Sequence, residues 1–352
     1  MLSIAIVGMP NVGKSTLFKA LTKKQVDIQN FPFCTIEPNV GIVEVPDERL
    51  QKLAQTSKSL KIIPAAIQFI DIAGLVAGAS KGEGLGNQFL SHIRESDAIA
   101  QVVRAFEDEN IIHVDGKPNP EKDAEIITYE LIFKDLETLN SHLPKVEKKA
   151  KSGDKTGIIE FELTKNLITF LEKGQSAKDF EACENEIPII KSLNLLTSKP
   201  VLYIINCSSD KKILNYPDKL KPALEIDVKL ENELSELSLA EAEEMRKELP
   251  HPKNNLDDLV SICYDLLGLE TFFTSGEKET RAWTIEKGSK APQAAGKIHS
   301  DFEKGFIRAD IIRWDKLVEA GSWNQAKQNG LVRTEGKDYI FQDGDTAIFK
   351  FN

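Results

Sequence analysis

Residues 8–16 (GMPNVGKST) constrain this chain most, because they have the form G-x-x-x-x-G-K-[S/T] of a phosphate-binding loop. The loop follows the short apolar run of residues 2–7, and a helical pattern begins at Thr16. A buried strand, a sharp turn and a helix N-terminus bring backbone N–H groups together around one anion. The sequence therefore predicts a nucleoside-triphosphate site rather than an ordinary glycine turn.

The loop pattern assigns a role to each group that would face the phosphates. We expect Lys14 to reach the β- and γ-phosphates and Ser15 to ligate Mg²⁺. The backbone amides of the loop would bind the remaining phosphate oxygens. The nucleotide-binding residues predicted here are Asn11, Val12, Gly13, Lys14, Ser15 and Thr16.

Two other segments supply the groups that such a loop needs around the metal and the γ-phosphate. Asp71 ends a buried apolar run and is expected to hold Mg²⁺ through water. Gly74 follows it and can present its N–H to the γ-phosphate without steric hindrance. Thr35, in the loop of residues 30–38, could complete the metal's ligands when the γ-phosphate is present. The alternative for Thr35 is a capping threonine.

Two positions depart from the common GTPase pattern. Leu75 stands where a water-orienting glutamine would be, and an apolar side chain cannot position the attacking water. Guanine selection also requires an aspartate at the fourth position of an N-K-x-D turn. Here Asn206 holds the first position and Ser209 the fourth. A serine cannot accept from both the ring N–H and the exocyclic amine of guanine. The sequence thus disfavours guanine and leaves adenine open.

Hydrophobic periodicity divides the 352 residues into three parts. Residues 1–120 and 198–270 alternate between strands and helices, which predicts a discontinuous α/β nucleotide-binding domain with a mostly parallel sheet. Residues 121–197 have apolar side chains at helical spacing, which predicts an inserted hairpin of long helices. Residues 271–352 predict a small, separately folded α+β module. Its strands are expected at residues 271–274, 281–285, 305–311, 337–341 and 346–351.

Composition limits the compartment and the partners. The net charge of −10 argues against nonspecific nucleic-acid binding by the whole chain, and no DNA partner is expected. No apolar run approaches the ~20 residues of a membrane span, so no membrane partner is expected either. The four cysteines have no paired spacing, which indicates neither zinc nor disulfides and favours the cytoplasm.

Several segments together resemble the YchF subfamily of Obg-like ATPases, within the translation-factor-related class of P-loop GTPases. They are residues 8–16, 30–38, 71–76, 78–88, 110–113, 281–284 and 291–308. The last segment is the most specific, because phosphate-loop chemistry does not require it. The resemblance implies a P-loop G domain, an inserted α-helical coiled-coil domain and a C-terminal TGS domain of ubiquitin-like fold.

The resemblance also implies Mg²⁺-dependent hydrolysis of ATP and association with the ribosome, through RNA and protein at the large subunit or the subunit interface. It implies that His113 replaces the missing glutamine and orients water from a mobile loop. Without the family, a surface histidine is the simpler expectation. In the family, Asn206 and the backbone of Cys207 contact adenine. Asn11 matches a residue that helps to bind K⁺ in related hydrolases, so K⁺ is a second candidate cofactor.

Three functions remain compatible with the sequence. The first is an ATPase that acts on the ribosome as a translation-linked regulator. The second is a GTPase, or a hydrolase of both ATP and GTP. The third is a ribosome-binding protein in which the nucleotide only shifts the conformation and hydrolysis is incidental.

Overall fold

The structure of the chain is a computed structural model that describes residues 2–23, 39–72, 85–113, 116–208, 213–217, 219–248 and 255–352. In these ranges the strands are β1 (Ser3–Val7), β2 (Val40–Glu44), β3 (Ile62–Ile63), β4 (Ala66–Asp71), β5 (Ala98–Arg104), β6 (Val201–Asn206), β7 (Ala223–Ile226), β8 (Leu269–Ser275), β9 (Thr280–Glu286), β10 (Phe306–Arg313), β11 (Arg333–Glu335) and β12 (Asp345–Phe351). The helices are α1 (Lys14–Thr22), α2 (Glu48–Ser57), α3 (Leu85–Glu95), α4 (Pro120–Lys151), α5 (Lys155–Glu172), α6 (Ile187–Leu193), α7 (Val228–Leu234), α8 (Leu239–Glu248), α9 (Leu256–Leu266), α10 (Ala291–Ile298), α11 (Ser300–Lys304), α12 (Trp314–Ala320) and α13 (Trp323–Gln328).

The first sheet has the order β2-β4-β1-β5-β6-β7, and all of its pairs are parallel except β2 with β4. All five residues of β1 are buried, as expected for the central strand of a sheet covered on both faces. The carboxyl ends of β1, β4 and β6 lie at one edge, where ligands bind in sheets of this kind. The predicted α/β fold class is confirmed.

The inserted helical unit, which we define as α4 to α6, is a hairpin built on two long helices. Asn119 caps α4 by accepting from Lys122 N, and Asp154 caps α5 by accepting from Gly157 N. Between the helices lies a separate apolar core, whose buried members are Ile132, Leu139, Leu163, Leu167, Leu171, Ala177 and Leu195. The expected insertion of long helices is thereby confirmed.

The C-terminal sheet has the order β11-β10-β12-β8-β9-β3, so it includes a strand from the nucleotide-binding domain. In β3, Ile62 pairs with Thr280 of β9. One apolar core also joins Leu50 and Leu53 of α2 to Phe273 of β8. The predicted C-terminal α+β unit is confirmed, and it shares its sheet and part of its apolar core with the nucleotide-binding domain. A two-residue strand contributed from more than 200 positions upstream leaves no periodic signal in the sequence.

One strand predicted in the C-terminal unit, at residues 337–341, is not formed. Residues 337–341 form a turn and a single isolated bridge at Ile340, and the edge strand is β11 instead. The apolar alternation there reflects Phe341, which is buried in the core, and Tyr339, whose hydroxyl donates to Asp345. In the described part of the chain, no helix combines the length and the apolar character that a membrane crossing requires.

Candidate functional site

The phosphate loop connects β1 to α1 at the centre of the sheet, and two glycines are required there. Gly8 has φ +153°, and a Cβ on it would lie 2.4 Å from the carbonyl oxygen of Val102 on the neighbouring strand. Gly13 has φ +105°, and its Cβ would lie 2.5 Å from Asn206 Nδ2. The phosphate loop can therefore lie this close to Val102 and Asn206 only because positions 8 and 13 have no side chain.

Lys14 is the first residue of α1 and lies against the loop that precedes it. Its side chain is largely buried, and Nζ donates a 2.7 Å hydrogen bond to the carbonyl oxygen of Met9. Burial lowers the pKa of Lys14, while the nearby Asp71 carboxylate partly opposes that shift. A buried ammonium that donates to a neutral carbonyl is well placed to gain from an incoming phosphate, which offers a charged acceptor.

The metal side of the site is formed where β4 and α1 approach each other. Burial raises the pKa of Asp71, and a hydrogen bond with Ser15 and the charge of Lys14 partly oppose the shift. Asp71 Oδ1 is buried and has no hydrogen-bond partner among the described residues. A carboxylate with an unsatisfied oxygen beside a serine hydroxyl fits a hydrated Mg²⁺, which prefers a few oxygen ligands and retains water. Thr35 and Gly74 lie outside the described residues.

Asn206, which is expected to contact the base, forms hydrogen bonds within the protein through both ends of its side chain. Nδ2 donates a 2.7 Å hydrogen bond to Val12 O, and Oδ1 accepts from Val228 N at 3.3 Å. The residue thus joins the phosphate loop to the start of α7. Cys207 is buried, and its N–H donates to Ile226 O at 3.0 Å. Because this N–H is already bonded, a backbone contact from Cys207 to a base would use its carbonyl group.

The segment of residues 105–113, which we call the β5–α4 loop, carries His113. The side chain of His113 is 1% exposed, and Nε2 lies 3.0 Å from Oδ2 of Asp123 on the first turn of α4. The expectation of a surface histidine was therefore wrong. The adjacent Ile112 is 81% exposed, and its carbonyl accepts a 3.1 Å hydrogen bond from Asn11 Nδ2 of the phosphate loop. The loop backbone thus touches the phosphate loop while the imidazole is bound to α4.

Arg104 is a residue of this site that sequence reasoning missed. It ends β5 with only 1% of its surface exposed, and burial lowers its pKa. Its Nε donates to Phe106 O at 3.0 Å and its Nη1 to Ile111 O at 3.1 Å. It therefore joins the two ends of the β5–α4 loop. The available signal was a single cation at the end of a strand whose other residues are apolar except for Gln101, since buried charges require partners.

These features define a class: a P-loop nucleotide-binding G domain that carries a helical insertion and a C-terminal α+β unit. Two family models match the chain accordingly. Residues 3–134 match the model described as a 50S ribosome-binding GTPase. Residues 269–352 match the YchF-GTPase C-terminal model, which is described as a protein of unknown function.

Full-length relatives identify the family within this class. The Bacillus subtilis (strain 168) protein named ribosome-binding ATPase YchF is 49% identical and covers 100% of this chain and 99% of its own length. The protein of the same name from Escherichia coli O157:H7 is 47% identical, with 99% and 98% coverage. The solved structure of the Schizosaccharomyces pombe YchF GTPase is 40% identical, covers 99% of this chain and 97% of its own, and superposes with a TM-score of 0.88. The chain belongs to the YchF family.

Proposed function

We propose that the chain is a Mg²⁺-dependent ATPase that hydrolyses ATP to ADP and phosphate and acts on the ribosome as a translation-linked regulator in the cytoplasm. The observation that carries the proposal is the meeting of Lys14, Ser15 and Asp71 at the end of the phosphate loop, where Asp71 Oδ1 has no hydrogen-bond partner in the described part of the chain. The names of the two bacterial relatives support ATP and the ribosome as partners.

Binding of the triphosphate follows from the loop geometry. Lys14 Nζ would exchange the Met9 carbonyl for the β- and γ-phosphates, and the backbone amides of residues 11–16 would bind the remaining oxygens. Ser15 would hold Mg²⁺ directly and Asp71 through water, with Thr35 and Gly74 assigned to the metal and the γ-phosphate respectively. Bound Mg²⁺ neutralises charge on the phosphate oxygens.

Hydrolysis needs a group that orients the attacking water, and we assign this role to His113. Leu75 cannot perform it, whereas an imidazole within hydrogen-bond reach can. His113 must first leave Asp123, so we expect slow turnover of the isolated protein and faster turnover once a partner repositions the β5–α4 loop. Steady-state rates of His113→Ala, with and without ribosomes, test the assignment. Rates equal to those of the unmodified protein under both conditions would show that another group acts.

Base preference is the point at which the related names differ, since the matching family model and the S. pombe structure are described as GTPases. We favour ATP because Ser209 cannot provide the paired acceptor that guanine needs. Competition of ATP and GTP for a fluorescent nucleotide, followed by hydrolysis of each, decides the question. If GTP binds more tightly than ATP and is hydrolysed faster, the protein is a GTPase and the ATPase proposal is wrong.

Ribosome association is tested by co-sedimentation in the presence of ATP, of ADP and of no nucleotide. The proposal expects binding at the large subunit or the subunit interface that depends on the nucleotide. A Lys14→Ala variant that cannot bind ATP, yet co-sediments normally, would point to a scaffold independent of nucleotide.

K⁺ is the second proposed cofactor. Asn11 Nδ2 already donates to Ile112 O, which leaves Oδ1 to face a cation. Equal turnover in Na⁺ and K⁺ buffers would remove K⁺ from the proposal.

A further inference from the structure

The imidazole of His113 is enclosed by the base of the inserted helical unit. The side chains of His113 and Asp123 are each 1% exposed, and the distance between Nε2 and Oδ2 is 3.0 Å. Hydrogen bonds to charged groups are the stronger kind, and they are screened least where water is excluded. The buried position of the imidazole is therefore a stable one, and leaving it requires the loss of this contact.

The backbone of the β5–α4 loop is already fixed next to the phosphate loop. Ile112 O accepts from Asn11, and Ile111 O accepts from Arg104. Consecutive Cα atoms are ~3.8 Å apart, so the Cα of His113 lies within one residue of the contact with Asn11. Transfer of the imidazole from α4 to the nucleotide thus needs a side-chain rotation and a local backbone change, and the loop need not refold.

The helix that holds the imidazole is suited to transmit force. It has 32 residues, so it is about 48 Å long. Farther along, the fully buried Asp135 accepts from Leu196 N at 2.7 Å and from Thr197 N at 2.8 Å. Asp135 therefore fastens α4 to the chain that leaves the helical unit, whereas Asp123 fastens its first turn to the nucleotide-binding domain. A displacement of the helical unit relative to the nucleotide-binding domain therefore pulls on the contact between Asp123 and His113.

We propose that Asp123 is a positioning residue that holds His113 away from the nucleotide, so that displacement of α4 releases the imidazole for hydrolysis. This rests on the proposed function of His113 as the group that orients water. The inserted helical unit then becomes the part of the molecule through which a bound ribosome sets the rate.

The test compares Asp123→Asn with Asp135→Asn in the full chain. Both variants replace a buried aspartate of α4 by its isostere, but only Asp123 contacts His113. Turnover of ATP is measured without ribosomes, together with modification of His113 by diethyl pyrocarbonate, mapped by mass spectrometry. We expect Asp123→Asn to raise kcat about tenfold, which corresponds to a contact weakened by about 1.4 kcal/mol. KM should be unchanged and His113 modified faster, whereas Asp135→Asn should show neither increase.

The double variant Asp123→Asn/His113→Ala separates the two proposals. It should be as slow as His113→Ala alone, because released imidazole is the cause of the gain. If His113→Ala has no effect on hydrolysis, the role of His113 fails, while the modification rate still reports whether Asp123 restrains the ring. An unchanged modification rate in Asp123→Asn, or an equal rise of kcat in Asp135→Asn, overturns the role of Asp123.

A second variant covers the case in which Asp123→Asn does not fold. Asp123→Glu keeps the charge but moves the carboxylate by one methylene, so it cannot retain the 3.0 Å contact with the imidazole in its present place. Faster modification of His113 and a higher kcat support the proposal. Unchanged values of both contradict it.

Discussion

Replacement of Asn206 by alanine tests whether this residue shapes the phosphate loop rather than contacting the base. In the structure its Nδ2 donates to Val12 O at 2.7 Å in a buried environment, and the 3.3 Å contact with Val228 N is longer and weaker. Alanine removes the donor and leaves the Val12 carbonyl buried without its partner. The amides on either side of Val12 are those that would bind the phosphates, so the loop should lose its preformed shape.

The expected magnitude follows from the cost of an unsatisfied buried group, which is about 1–3 kcal/mol. If that cost appears in ATP binding, the dissociation constant rises about 5- to 150-fold. A matched control is Gln101→Ala. Gln101 is also buried and its Nε2 donates to the Ala124 carbonyl at 3.1 Å, but it joins β5 to α4 away from the phosphates. Both variants should lose a similar free energy of unfolding.

The assay is calorimetric titration with ATP, paired with denaturant unfolding of each variant. We expect weaker ATP binding only for Asn206→Ala, with Gln101→Ala within twofold of the unmodified protein. Equal losses of affinity in the two variants would mean that general destabilisation is responsible. Full ATP affinity in Asn206→Ala, with the expected loss of stability, would refute the proposed role of Asn206 in shaping the loop.

Three further predictions concern other buried groups. Arg104→Met removes the donors to the Phe106 and Ile111 carbonyls. Hydrogen exchange followed by mass spectrometry should then be at least about tenfold faster at the amides of residues 107–112. Unchanged exchange would contradict the role of Arg104. Burial raises the pKa of Cys207 to about 11 and also raises that of Cys263, so iodoacetamide at pH 8 should label the exposed Cys183 before these two. Early labelling of Cys207 or Cys263 would contradict their burial. Burial lowers the pKa of Lys14 below 10.5, so its ammonium loses its proton at a lower pH than an ordinary lysine does. The affinity for ATP should therefore begin to fall before the pH reaches 10.5, and calorimetry in two buffers should show proton uptake on binding. An affinity that stays constant up to pH 10.5 would contradict this prediction.

Features that depend on neighbouring residues could be predicted from the sequence. The phosphate loop is one, because strand, turn and helix follow within a single continuous segment and each has a local signature. The helical insertion is another, since 3.6-residue periodicity persists over both long helices. In both cases the physical cause acts over a few residues, so it is visible in the order of the amino acids.

Features that depend on distant contacts could not be predicted. The hydrogen bond of Asn206 to Val12 O could not be predicted, because Val12 lies 194 positions earlier in the chain. His113 is only ten residues from Asp123, yet their contact depends on where α4 begins and on a loop whose carbonyls are bound by Arg104. Strand β3 has two residues, which is too short for a period to be recognised. Each of these is decided by tertiary packing.

The base of the helical unit contacts the nucleotide-binding domain at several places, and two of these contacts lie next to segments assigned to the phosphates. Asp123 holds His113, whose neighbour Ile112 touches the phosphate loop. Just after the chain leaves the helical unit, the buried Lys199 donates from Nζ to Arg94 O and Ser96 O at the C-terminus of α3, where a cation is favoured by the helix dipole. Helix α3 begins eleven positions after Gly74, the residue proposed to meet the γ-phosphate. If a partner holds the helical unit in one position and thereby changes these attachments, nucleotide affinity must change with it, because coupling between two binding sites is reciprocal.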